Sequence, residues 1–185
     1  AVVPIKLNNQ RLPGKNIKQF TNGKPLCNYI LNTLLSIKEI DAIYVYDGIY
    51  DLLQNLKEDN YRCGLCTGKD SKRTLEILKK YQLEKFFDVV VCSDNVKRPK
   101  PYSDSLKVAI HKMGISSEDA IMIGDAPNDI ICAKNINVKS IGVLWGEVER
   151  TILEKEAPDY MAETVSELKM IINKIFECGG YANEK

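Results

Sequence analysis

The sequence predicts an α/β protein in three layers, a parallel sheet with helices on both faces. Short apolar runs recur along the chain, and most are followed by a stretch whose apolar residues return at helical spacing. The runs are nearly continuous rather than alternating, as in strands buried on both faces. Strand and helix alternate at a spacing that calls for right-handed crossovers between parallel neighbours.

Taken in order, Val2–Ile5 is the first apolar run and Ala42–Tyr46 the second. Ile49, Leu52, Leu53 and Leu56 then share one face of a helix. Arg62–Cys66 reads as a strand, Leu75 and Leu78 with Tyr81 as a helix stripe, and Asp88–Cys92 as a buried strand. Leu106, Ala109, Ile110 and Met113 mark a helix over Ser103–Met113. Ala120–Ile123 and Ser140–Leu144 are two further strands, the former apolar enough to expect in mid-sheet. Asp159–Ala162 adds a short edge strand before a last helix, Val165–Phe176. The expected organisation is a strand-helix-strand segment 1–46, a core 47–178 and a flexible tail 179–185, the whole packed as one compact unit.

With 185 residues, 44% hydrophobic and 28% charged, the chain is long enough for one α/β domain with a sizeable core. A net charge of +1, with both signs interspersed, argues against a nucleic-acid or anionic-membrane surface. No apolar run approaches the ~20 residues of a membrane span. The start, polar after Ile5, does not read as a signal peptide, so the expected compartment is the cytoplasm. Six cysteines fit a reducing environment. Cys63 and Cys66 have CxxC spacing, but positions three apart on a strand face opposite sides of a sheet, so core packing is expected. His111, the single histidine, is expected on a solvated helix face.

Three segments carry candidate chemistry. Gly124–Asp129 reads GDAPND directly after an apolar strand, placing Asp125 and Asp129 where ligands collect in parallel sheets. Their hard oxygens suit Mg²⁺, which takes one or two protein carboxylates beside waters and phosphate oxygens. The plain alternative is an Asp-Asn turn with Asp129 capping a helix. Thr67 and Gly68 follow another strand, and a helix starting near Ser71 would aim free N–H groups at the same anion. Lys100 lies between Pro99 and Pro101 on a stiff segment, well held to meet a phosphate; the alternative is a solvated basic turn.

This order of strand-Thr, strand-Lys and strand-GDxxxD resembles the haloacid dehalogenase (HAD) superfamily, and within it the phosphoglycolate phosphatase-like branch, over roughly residues 47 to 175. The resemblance implies a Rossmann-like core and Mg²⁺-dependent hydrolysis of a small phosphorylated substrate. It makes Thr67 the second-motif phosphate ligand, Lys100 the third-motif lysine, and Asp125 and Asp129 the fourth-motif metal acids. Lys100 is preferred to Arg98 because KPYSDSL follows it in register, although Ser103 and Ser105 stand where prolines are usual.

The family's first motif, DxDx(T/V), supplies a nucleophile and an acid/base two residues later. Asp47 is the candidate nucleophile, but the acid/base position is then Ile49; in the other register the nucleophile position is Val45. In a third register, Asp47–Leu53 resembles the segment re-entering the core from a cap, and the first motif is not in this chain. About 20 residues separate Asp47 from Thr67, too few for a cap domain, so the site is expected either open or covered by a second copy of the chain. Upstream, Arg11–Asn16 reads RLPGKN and resembles the nucleotide-phosphate loop of N-acylneuraminate cytidylyltransferases, with Arg11 and Lys15 as the phosphate-binding cations. Two readings follow: a HAD-type phosphomonoesterase, sugar or organic phosphate its expected substrate, or a catalytically impaired phosphate- or nucleotide-binding protein.

Overall fold

The computed structural model of the chain describes residues 48–146 and 148–177, which belong to one compact unit, Asp47–Lys185. The predicted strands Val2–Ile5 and Ala42–Tyr46, the tail 179–185, and Arg11, Lys15 and Asp47 lie outside the described residues.

Helix α1 (Ile49–Glu58) starts after Gly48, whose φ of 84° is in the left-handed region, and buries Leu52. Strand β1 (Gly64–Cys66) leads to α2 (Ser71–Lys80), and β2 (Val89–Val91) to α3 (Asp104–Met113). Gly114 at φ 63° ends α3 in the left-handed conformation that closes many helices. Strand β3 (Ile121–Gly124) precedes α4 (Pro127–Lys134), which opens on a proline where no N–H is needed. Strand β4 (Lys139–Val143), α5 (Arg150–Lys155), β5 (Tyr160–Ala162) and α6 (Val165–Glu177) complete the order.

All pairings among the described strands are parallel, as expected, but they form two sheets and not one. β1 pairs β2, with Cys66 opposite Val91; β3 pairs β4 with Gly124 opposite Gly142, and β4 pairs β5 with Val143 opposite Ala162. Among the described residues β1 and β3 each keep one unpaired edge. Among the described residues β3 has a neighbour on one side, β4, and Ile123 is 39% exposed. Among the described residues side chains join the two sheets, since Cys66 of β1 packs on the cluster of Leu106, Met122, Cys132 and Val138. A second cluster, Leu52, Ile141, Val143, Leu168 and Ile172, holds α1 and α6 on the other face of the larger sheet.

The four described cysteines are all free thiols, with Cys92 and Cys132 buried. His111 is exposed on α3. No described helix is long and apolar enough to cross a membrane.

Candidate functional site

The sequence candidates meet through one ammonium group. Lys100 Nζ donates to the carbonyl of Cys66, the last residue of β1, at 3.1 Å, and to Asp129 Oδ1, in the first turn of α4, at 2.5 Å. Thr67 follows Cys66 directly, and Asp125 follows Gly124 at the end of β3. The C-terminal ends of β1 and β3 thus converge on Lys100, as ligand sites do in parallel sheets.

The pair is held tightly: the Asp129 side chain is 7% exposed and that of Lys100 18%. A pair this dry survives only where its remaining hydrogen-bonding capacity is met. Asp129 Oδ2 accepts from the Ala126 amide at 3.3 Å, so both its oxygens have protein donors. Two of the three ammonium hydrogens are engaged in turn, and the third remains for a ligand. Burial pushes the thiol of neighbouring Cys66 up to about 11, with Lys100 pulling in the opposite direction, and burial likewise raises Cys132. Both stay protonated and serve as packing.

Asp125 differs from Asp129 in its bonding. Its carboxylate accepts from no donor among the described residues, and the carboxylate lies against Gly146, in the turn after β4. A hard anionic oxygen without a protein donor, at the mouth of a parallel sheet, fits a Mg²⁺ ligand that leaves room for waters. Thr67 Oγ1 accepts the Lys69 amide at 3.2 Å, while the Thr67 amide donates to Val91 across the β1–β2 ladder, fixing its backbone. Its hydroxyl hydrogen remains free to bond an anion. Gly68 is exposed beside it, with nothing within 4 Å of where a Cβ would stand.

The expected anion seat at the start of α2 is corrected. Ser71 N donates to Asp94 Oδ1 at 3.0 Å and Arg73 N to Asp70 Oδ1 at 2.9 Å, so two carboxylates already occupy that helix end. The Arg73 amide bonding to it holds Asp70 below the usual carboxylate range, as a satisfied cap should be. Arg98 is likewise committed elsewhere, forked onto Asp104 at 2.9 and 3.2 Å and stacked 5.0 Å from the Tyr102 ring. Lys100 is therefore the cation of this segment that reaches the strand ends.

Sequence reasoning missed the Cys66 carbonyl, the Ala126 amide and Gly146. Backbone groups leave no residue signature, but Gly146, following the apolar run of β4, was a readable sign of close approach.

A family model described as haloacid dehalogenase-like hydrolase matches residues 13–143, beginning upstream of the core 47–178 expected from the sequence. Pyrophosphatase PpaX of Bacillus cereus (strain AH820) is 36% identical over 72% of this chain and 62% of its own length. A crystal structure of a predicted phosphatase from Clostridium acetobutylicum is 34% identical with a TM-score of 0.66, covering 70% of this chain and 60% of that one. A predicted phosphoglycolate phosphatase from Haemophilus somnus 129pt, 20% identical at TM-score 0.67 over 79% and 63% of the two chains, shares the fold. The chain spans less than two thirds of the length of these relatives. Its sequence and its parallel α/β architecture agree on one assignment: the chain belongs to the haloacid dehalogenase-like hydrolase family.

Proposed function

We propose that this chain is a Mg²⁺-dependent phosphoric ester hydrolase of small phosphorylated molecules, with Thr67, Gly68 and Lys100 around the phosphoryl group and Asp125 as the metal carboxylate. The observation that carries the reading is the Lys100 ammonium anchored between the Cys66 carbonyl and Asp129. It brings the threonine, lysine and aspartate segments to one place with a donor to spare. Asp129 acts here through Lys100, fixing the ammonium, and lies beside the metal position. When bound, Mg²⁺ supplies positive charge to the phosphoryl oxygens.

Asp47 is the attacking carboxylate in this reading. Ile49, two residues on, packs among Leu52 and Ile172 and has no proton to give. A general acid typically contributes ~10² to 10⁴ in rate. Turnover should therefore be confined to esters and anhydrides whose leaving group departs unprotonated. The missing acid also favours a second reading, in which the same residues bind phosphate without hydrolysing it. The phosphoglycolate phosphatase-like branch, a cytoplasmic location, a nucleotide-phosphate role for Arg11 and Lys15, and a second copy covering the site are further parts of the proposal, supported by the sequence motifs alone.

The test is p-nitrophenyl phosphate hydrolysis with Mg²⁺, beside Asp47→Asn and Asp125→Asn, together with phosphate binding by calorimetry. Hydrolysis lost in both variants is the expected result. Wild-type phosphate binding without turnover would select the second reading, and neither binding nor turnover would end both.

A further inference from the structure

We infer that Gly146 is a positioning residue for Asp125: its lack of a side chain is what lets the turn after β4 clasp that carboxylate. The inference rests on the reading of Asp125 as the metal ligand. A Cβ built on Gly146 would stand 2.5 Å from Asp125 Cβ and 2.9 Å from its Cγ, and nearer still to Oδ2. Real Cβ atoms essentially never approach other atoms to under 3.0 Å. The clash falls on the root of the aspartate side chain as well as on its carboxylate, so rotating the carboxylate alone does not relieve it.

The site has the same construction twice. A Cβ at Gly124 would run into Asp129, with that carboxylate within 3.0 Å. Two acids are thus each seated in the space vacated by a glycine, but they answer to different elements. Gly124 is the last residue of β3 and lies in the same motif as the acid it admits. Gly146 lies beyond β4, twenty-one positions along the chain from Asp125, and nothing in the motif itself calls for it. Asp125 has no hydrogen-bond donor among the described residues, so close packing against Gly146 is the restraint the structure gives it. An unbonded carboxylate holds its rotamer only through its neighbours, and a metal ligand displaced by a fraction of an ångström loses affinity.

The experiment compares wild type, Gly146→Ala, Asp125→Asn and Gly142→Ala in the full chain, reading Mn²⁺ binding by electron paramagnetic resonance and Mg²⁺ binding by calorimetry. Gly142 lies in β4, the strand that leads into this turn, but a Cβ there meets its nearest atom, Pro158 Cγ, at an ordinary 3.4 Å. Gly146→Ala should weaken metal binding roughly tenfold or more, the scale seen when support to a metal ligand is removed. Gly142→Ala should bind as wild type does. Metal affinity in Gly146→Ala equal to wild type, with Asp125→Asn impaired, would overturn the role of Gly146 and leave the metal reading standing. Equal binding by wild type and Asp125→Asn would instead overturn the metal reading.

A melting-temperature cycle without metal tests the same contact should Gly146→Ala fold poorly. Gly146→Ala should lower the midpoint by several degrees in wild type and by little in an Asp125→Gly background, where the opposing side chain is gone. Equal losses in both backgrounds would show that the alanine clashes elsewhere and would overturn the inference.

Discussion

In the proposed site, Lys100 would serve both binding and stability. Replacing it by alanine removes the donor for an incoming oxyanion and strands Asp129, 5% exposed, with half its hydrogen bonding gone. Breaking a buried pair from one side typically costs about 3 kcal/mol or more, whereas replacing both partners with apolar groups is often neutral. Urea unfolding should therefore show Lys100→Ala destabilised by about 3 kcal/mol and Lys100→Met/Asp129→Leu recovering most of that loss, while neither binds phosphate. A double variant as unstable as the single one would mean that packing around the aliphatic stem of Lys100, and not the ion pair, is what matters. Thr67, Lys100, Asp125 and Asp129 were legible because each follows an apolar run or stands in a proline-flanked segment. Their partners were not, since the Cys66 carbonyl and the Ala126 amide belong to every residue alike.

Among elements, the start of β1 and the approach to β2 are tied by Asp88. Its Oδ1 accepts from Lys57 of α1 at 3.0 Å and its Oδ2 from the Cys63 amide at 2.8 Å. Burial alone would raise the Asp88 carboxyl, but the Lys57 hydrogen bond and the Cys63 amide outweigh it and hold it below the usual range. A carboxyl lowered on folding stabilises the native state above its unfolded value of about 3.9, and that contribution disappears as pH falls through the folded value. Asp88→Asn should therefore destabilise by about 1 kcal/mol at pH 7. The gap to wild type should close as urea unfolding is repeated at falling pH below about 4; a gap independent of pH would show that the charge is immaterial. At this scale the elements were readable but their relations were not. The apolar runs placed β1 to β5 to within a residue or two, because burial selects composition. They could not say which strands pair, since an apolar strand reads the same beside one neighbour or two. The helix start near Ser71 was equally readable, but not its occupation by Asp94, which arrives from 23 residues further along.

At the largest scale described, the two sheets formed by the described strands touch through side chains and are laced by Lys100, whose two acceptors belong to different sides: Cys66 ends β1, and Asp129 sits on the helix that follows β3. A ligand that binds only the folded state stabilises it in proportion to its occupancy. The regions it stiffens should be those its contacts span. Amide hydrogen exchange with and without saturating inorganic phosphate should slow in Gly64–Thr67 and in Ala126–Ile130 together, while β5 and α6 stay unchanged. Slowing confined to one of the two segments would place the anion away from Lys100. If the ammonium receives cargo as proposed, the cation that fastens the scaffold would make occupancy and rigidity a single quantity: an emptied site would be a looser seam, and a guest reaching the ammonium would draw it shut.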